Sequence, residues 1–142
     1  MNGTCKALTA SGKASFTDKW TETMFKALVA RVGERWQLSS FRGVNGGEWC
    51  GIVDVLAVRK DTSFPKNPRL SKGDLFEMIL VQMKGGTARC PDACDIERLQ
   101  IVKQHYGAID VVLYEWRKKR LSRFSRLVGG EWKEASAKEI FG

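Results

Sequence analysis

The chain has 142 residues, the length of one ordinary domain, and 43% of them are hydrophobic, which excludes a disordered chain. No apolar run reaches the roughly 18 residues of a membrane span, and residues 1–15 lack the apolar middle of a signal peptide. The net charge of +8, from 24 basic and 16 acidic residues, favours an anionic partner such as nucleic acid. We expect a cytoplasmic protein without a membrane partner, with a flexible tail over residues 1–15 and a single domain over residues 16–142.

The first half of the domain is predicted to contain one helix and two strands. A helix is expected to begin near Asp18, because apolar residues then recur at three- and four-residue steps as far as Val32. A first, partly buried strand is predicted for residues 36–41. Residues 50–59 form a nearly continuous apolar run, which is typical of a strand covered on both faces, and Asp54 interrupts it.

The second half alternates apolar runs with loops rich in glycine, proline and charge. The predicted elements are a long loop at 60–74, a buried strand at 75–84, a helix at 95–106 that Gly107 ends, a buried strand at 108–116, a turn at 117–120, a returning strand at 121–127 and a short helix behind the capping box of Ser136 and Glu139. A helix between two strands indicates a crossover connection, so part of the sheet should be parallel or mixed.

Polar residues inside predicted buried strands form the candidate site. Burying an unpaired carboxylate costs several kcal/mol, so Asp54 requires an explanation. Gln82 and Lys84 end the next strand, where alternation points both side chains to one face, about 7 Å apart, and Asp54 can reach that face. Metal-assisted cleavage of a phosphodiester can use a carboxylate, an amide oxygen and an ammonium, because Mg²⁺ prefers hard oxygen ligands. A nearby lysine can orient or deprotonate the attacking water, or stabilise the pentavalent phosphorus.

These residues resemble a known family. The segment from Gly51 to Ala57 resembles the strand that carries the first aspartate of PD-(D/E)xK nucleases, and Gln82-Met83-Lys84 resembles their (D/E)xK motif in its QxK form. The predicted order helix-strand-strand-strand-helix-strand also matches that family's core, over roughly residues 17–116. The resemblance implies an α/β fold with a restriction-endonuclease-like core, a central mixed β-sheet flanked by helices (αβββαβ), here with a C-terminal β-hairpin.

The resemblance also implies roles for individual residues. Asp54 and Gln82 would hold Mg²⁺ or Mn²⁺ with the backbone carbonyl of Met83, and Lys84 would be the catalytic lysine. The chain departs from the family pattern at Val53, where a proline is usual, and at Gln82, which replaces an acidic ligand and removes one negative charge.

Enzymes of this family often add an acidic residue from the first helix. Glu22 is the residue we expect to complete the site, as a further catalytic residue near the start of that helix. Glu34, near its end, is the rival. The alternative for both is an exposed helix charge.

Two basic segments could contact phosphates without reading sequence, and solvated turns are the alternative. The densest is Arg117-Lys118-Lys119-Arg120, followed by Arg123 and Arg126. The second lies in the long loop and comprises Lys60, Lys66, Arg69 and Lys72. We expect nucleic acid to contact Arg117, Lys118, Lys119, Arg120 and Lys72.

Other polar residues carry weaker signals. Gln100 and Gln104 on the second predicted helix could face the site or solvent, and His105 is interpreted as a helix-end residue. Cys90 and Cys94 have a C-x3-C spacing but no second ligand pair, so free thiols in a reducing cytoplasm are favoured over zinc.

The sequence therefore supports three hypotheses. The first is a metal-dependent nuclease that hydrolyses DNA phosphodiesters, structure-selective or related to repair or defence because little chain remains for a separate recognition domain, and a homodimer is compatible with it. The second is a catalytically inactive nuclease-like module that binds nucleic acid or a protein partner. The third is a small structural subunit in which the polar strand ends are incidental.

Overall fold

The computed structural model describes residues 12–33, 35–41, 51–85, 90–117 and 120–142. Within them the chain is an α/β protein with one six-stranded sheet and three helices. The elements are α1 (Gly12–Val32), β1 (Gln37–Ser40), β2 (Val55–Lys60), β3 (Phe76–Gly85), α2 (Ala93–Tyr106), β4 (Asp110–Arg117), β5 (Arg120–Val128), β6 (Glu131–Ala135) and α3 (Ala137–Phe141).

The sheet is mixed, with its strands arranged in the order β1-β2-β3-β4-β5-β6. Strands β3 and β4 are parallel and joined by α2, whereas every other neighbouring pair is antiparallel. The predicted α/β class, the mixed sheet and the crossover helix are confirmed. The carboxyl ends of β3 and β4 consequently meet at one end of the sheet, together with the start of β2 and the turn between β4 and β5.

The two faces of the sheet carry separate cores, because side chains alternate along each strand. Helices α1 and α3 cover one face, where the core contains Phe25, Val29, Ile79, Val81, Val112, Tyr114, Phe124 and Phe141. Helix α2 covers the other face, where the core contains Leu80, Leu99, Val111 and Leu127. Gln82 and Lys84 follow the alternation of Leu80 and therefore lie on the α2 face.

Several boundaries differ from the predictions. Helix α1 begins at Gly12, so Thr17 and Asp18 lie within it and residues 12–15, expected in the tail, are helical. No proline interrupts this segment, so nothing stops the helix from extending backwards. Residues 1–11 lie outside the described residues. Strand β6 was not predicted, and it forms a C-terminal hairpin with β5 through Gly129 and Gly130, both with positive φ.

The ends of α1 and α3 meet in a close contact. A Cβ at Gly33 would lie 2.6 Å from the carbonyl oxygen of Phe141, so only glycine allows this approach. The indole N–H of Trp36 donates to the same carbonyl at 2.8 Å. Ser136 caps α3 as predicted, because its hydroxyl accepts from the N–H of Glu139 at 3.1 Å. No helix in the described part of the chain is long and apolar enough to cross a membrane.

Candidate active site at the carboxyl end of β3

Asp54 lies immediately before β2 and contacts β3 on both sides of Gln82. Its backbone N–H donates to the carbonyl of Val81 at 2.9 Å, and its Oδ2 accepts from the N–H of Met83 at 2.8 Å. The strand ladder thus ends at Val55 because the next N–H of β3 is taken by a side chain rather than by a β2 carbonyl. Asp54 therefore precedes the strand instead of interrupting it, and it is brought next to Gln82.

The carbonyl of Met83 points towards the same edge of β3 as Asp54. In an extended strand the N–H and C=O of one residue point to the same side, and the N–H of Met83 is bonded to Asp54. The side chain of Met83 packs against the core under α1. Only the backbone of Met83 can therefore serve the site, as the family resemblance implied.

Gln82 contributes an oxygen that has no hydrogen-bond donor. Its Oε1 is buried and unpartnered among the described residues. Leaving a buried acceptor unsatisfied costs about 1–3 kcal/mol, so such an atom in a folded protein calls for a donor or a cation. Gln82 differs in this respect from Asp54, whose carboxylate already accepts a backbone hydrogen bond.

Lys84 is buried, with 7% of its surface exposed, and is held by neighbours from two other elements. Its Cα pairs with that of Glu115 on β4, and its Nζ lies 3.8 Å from Glu115 Oε2. The same ammonium donates to the sulfur of Cys90, just before α2, at 3.1 Å. A second cation, Arg123 on β5, approaches Glu115 with its Nε 3.8 Å from Oε1. The counter-ion offsets part of the cost of burying an ammonium.

Glu115 was missed by the sequence reasoning. It interrupts the apolar run of β4 much as Asp54 interrupts the run that leads into β2, and that was the available signal. Its partner could not be named, because the register between β3 and β4 depends on how α2 spans the crossover.

Glu22 is not brought together with the other candidates. Helix α1 packs on the face opposite to Gln82 and Lys84. The Oε1 of Glu22 is buried without a hydrogen bond, and the ion pair that it makes is with Lys26, 3.5 Å away. The catalytic role of Glu22 stays a prediction, and its rival Glu34 lies outside the described residues.

The predicted nucleic-acid contacts fall at two different ends of the sheet. Strand β4 ends at Arg117 and β5 begins at Arg120, so this turn is at the same end as Asp54 and Lys84. Lys118 and Lys119 lie outside the described residues, and the structure describes no side chains for Arg117 and Arg120. Lys72 lies in the loop between β2 and β3, at the opposite end.

The remaining polar candidates do not join the site. Gln100 and Gln104 are exposed on α2, and Gln100 lies near Gly130, in the turn between β5 and β6 at the amino end of β4. His105 is exposed at the end of α2, with its ring against that of Tyr106. Cys90 and Cys94 are free thiols. Across the described residues, no three His, Cys, Asp or Glu side chains gather as a metal-holding group.

The donor set at this end of the sheet nevertheless suits a hard cation. Asp54, beside β3, and Gln82 and the carbonyl of Met83, at consecutive positions of β3, offer a carboxylate and two neutral oxygens, which is the chemistry that Mg²⁺ accepts alongside water and phosphate. In open α/β sheets ligands bind outside the carboxyl ends of the strands, where these residues lie. Comparison of the chain with protein-family models, curated proteins and solved structures found no match.

Proposed function

We propose that this protein is a metal-dependent nuclease that hydrolyses phosphodiester bonds of DNA, built on a restriction-endonuclease-like core of the PD-(D/E)xK type in its QxK form. The observation that carries the proposal is the buried, unpartnered Oε1 of Gln82, which Asp54 flanks on both sides. The element order and the mixed sheet, both implied by the family resemblance, support it.

Three oxygens of this chain would hold the metal in this proposal: Asp54, Gln82 Oε1 and the carbonyl of Met83. When bound, a divalent cation would supply charge neutralisation at the phosphate and a more acidic water molecule. Having an amide where the family has a second carboxylate weakens the attraction for the cation. It also reduces the repulsion that an anionic substrate meets as it approaches.

Lys84 would stabilise the negative charge that develops on the phosphate oxygens. Its ammonium lies on the same face as Gln82, two residues further along β3. Because Glu115 Oε2 is 3.8 Å from Nζ, the positive charge has a counter-ion in the protein, and Glu115 and Cys90 fix the position of the side chain. We therefore assign Lys84 an electrostatic role rather than that of a base.

The basic turn from Arg117 to Arg120 would bind the DNA backbone beside the site. Arg117 ends β4, which pairs with the strand that carries Lys84, and Arg120 begins β5 opposite Arg117. Phosphate contacts of this kind are independent of sequence, and they fit a structure-selective enzyme of repair or defence.

The test is incubation with plasmid and single-stranded DNA, with and without Mg²⁺ or Mn²⁺. We expect cleavage that requires the metal and falls about a hundred-fold or more in Asp54→Asn, which keeps the shape of the side chain but removes its charge. In calorimetry, Mn²⁺ should bind Asp54→Asn more weakly and Gln82→Glu more tightly than wild type. Melting curves confirm that each variant is folded. Equal Mn²⁺ affinity in all three proteins would overturn the metal site.

A second candidate is an inactive nuclease-like module that binds nucleic acid or a protein partner. The favouring observation is that Lys84 already has a structural role through Glu115 and Cys90. This candidate predicts nucleic-acid binding that is unchanged by metal and by Asp54→Asn, with no cleavage of either substrate.

A further inference from the structure

The loop between β2 and β3, together with the first residue of β3, exposes large apolar side chains at the end of the sheet opposite to the candidate active site. Phe64 is 84% exposed and Phe76 is 62% exposed, and Leu70 and Leu75 are also exposed. Fully burying such a side chain is worth about 1.5–3 kcal/mol, so their exposure is unfavourable in the protein alone. Long loops without secondary structure are usually functional, and exposed apolar clusters mark binding surfaces.

Cations accompany both rings. Lys60 Nζ lies 4.6 Å from the ring centre of Phe76, and Lys72 Nζ lies 5.5 Å from that of Phe64. The loop also contains two further cations, Lys66 and Arg69, both exposed. Throughout the described chain, none of the four basic side chains has a carboxylate within the 4.0 Å of an ion pair. Their charges are therefore available to an anionic ligand.

Acidic residues of the loop serve its own folding instead. Asp61 Oδ1 accepts from the N–H and the hydroxyl of Ser63, at 2.9 and 2.6 Å. Asp74 Oδ2 accepts from the N–H of Ser71 at 2.7 Å, and the N–H of Asp61 donates to Leu75 across the base of the loop at 2.8 Å. The rings thus stand on a preformed loop, which lowers the entropy that a ligand would cost on binding.

A third pairing of a cation with a ring in this protein has a different character. The guanidinium of Arg59 lies 4.2 Å from the ring centre of Trp36, but Trp36 is 9% exposed and Arg59 is paired with Glu77 at 2.7 Å. That pairing is satisfied within the fold. In the pairs of Phe64 and Phe76, the ring is exposed and the cation has no carboxylate partner among the described residues. Both groups can therefore contact a ligand.

We propose that Phe64 and Phe76 are a stacking platform for single-stranded nucleic acid, with Lys60 and Lys72 contacting its phosphates. Unpaired bases stack on aromatic side chains while lysines follow the backbone. Duplex bases are stacked on one another and offer no free face, so the platform selects single strands. Phe76 lies roughly 26 Å along β3 from Lys84. The surface therefore binds whether or not the other end of the sheet cleaves DNA.

The test measures fluorescence anisotropy of a labelled single-stranded oligonucleotide in EDTA, where no metal-dependent cleavage occurs. Phe64→Ala and Phe76→Ala should each weaken binding about five- to a hundred-fold, whereas Phe64→Trp should retain it. Ile101→Ala is the control, since it truncates an exposed apolar side chain on α2, outside this loop, without removing a ring, and it should change affinity less than two-fold. Lys72→Ala should lower the slope of log affinity against log salt by about one.

The same variants separate this inference from its alternatives. Equal oligonucleotide affinity of wild type, Phe64→Ala and Phe76→Ala, in proteins with unchanged melting curves, would overturn it. If Phe64→Ala and Phe76→Ala lost binding to vesicles that contain anionic lipid but kept oligonucleotide binding, the surface would be a membrane-binding site. That result would also overturn the inference. Binding in EDTA tests the platform and metal-dependent cleavage tests the nuclease proposal, so the failure of one and the failure of the other give different results.

Discussion

The two ends of strand β3 depart from the usual division between an apolar interior and a polar surface in opposite ways. At the carboxyl end, Lys84 and the oxygen of Gln82 are buried among other polar groups. At the amino end, the rings of Phe76 and Phe64 are exposed beside Lys60 and Lys72. Both arrangements cost free energy in the isolated protein. Internal partners offset part of the first cost. At the amino end, the lysines contact the rings but have no carboxylate partner among the described residues, so each end indicates a different kind of ligand.

Backbone pairing explains how the two ends come to differ. At the amino end the ladder between β2 and β3 continues to Lys60 and Phe76, and the loop closes directly on it. At the carboxyl end the ladder stops at Val55, and the carboxylate of Asp54 replaces it. Where the pairing of two strands stops early, backbone carbonyls become available to a site. Where the pairing continues to the end of both strands, it holds the connecting loop rigid.

Lys84→Met should produce the largest effect, because it removes the charge but keeps most of the volume. We expect DNA cleavage to fall about 10²- to 10³-fold, with Mn²⁺ affinity unchanged since lysine is not a ligand. Cleavage rates and calorimetry of the same preparation measure the two quantities. Lys133→Met, on an exposed strand position, is the control. Unchanged cleavage would mean that Lys84 is as purely structural as Arg59.

Glu115→Leu should destabilise the fold by about 3 kcal/mol, because it leaves the buried ammonium of Lys84 unpaired. The double variant Lys84→Met with Glu115→Leu should recover most of this loss. Urea unfolding gives the free energies. Glu77→Leu, which breaks the more exposed pair with Arg59, should cost about 1 kcal/mol or less. If Glu115→Leu and Glu77→Leu lowered the free energy of unfolding equally, burial would not make the ion pair at the carboxyl end more important than the exposed pair.

Gln82→Met should stabilise the protein by about 1–2 kcal/mol, since it replaces an unsatisfied buried oxygen with an apolar group of similar shape. The same change should weaken Mn²⁺ binding. Urea unfolding in EDTA and calorimetry of the metal measure the opposite responses. A loss of stability would mean that Oε1 is solvated or bonded in solution and that it requires no ligand.

The smallest effect concerns two carboxyls near the amino end of the sheet. Burial raises the pKa of Asp110 above 3.8, although Arg126, with Nε 2.7 Å from its Oδ2, opposes the shift. The hydrogen bonds of Ser63, first from its hydroxyl and then from its N–H, lower the pKa of Asp61 below 3.8. Carbon-detected NMR titration should therefore place the two midpoints on opposite sides of that value.

The sign of the linked stability differs between the two carboxyls. The favourable contribution of Asp110 to the free energy of unfolding is complete below pH 3.8 and is lost as pH rises through the pKa of the folded state. The corresponding contribution of Asp61 is present above pH 3.8 and is lost as pH falls through the pKa of the folded state. Comparison of Asp110→Asn and Asp61→Asn with wild type by urea unfolding at pH 3 and pH 6 tests both; the same sign in both variants would refute it.

The sequence was most informative where one strand determines the outcome. Period-two alternation placed Gln82 and Lys84 on one face, and the apolar runs located β3 and β4 within two residues. It was less informative where separate elements must align. Glu115 meets Lys84 through a parallel register that α2 sets, and the position of Glu22 depends on how α1 is rotated and shifted over the sheet. Phe76 could not be foreseen as exposed, because its apolar neighbours predict burial for the whole run.

Phe141 has a consequence for how the chain acquires its structure. Its ring packs 5.7 Å from that of Phe25 and 5.7 Å from that of Trp36, and its carbonyl is bonded to an indole 105 residues away. During synthesis, Phe25 can pack against Tyr114 and Phe124, but the side that Phe141 covers must stay open until residues 137–141 leave the ribosome. Contacts of such long sequence separation fold slowly, so we expect this half of the core to form only after translation of α3 and to be the part that needs chaperones.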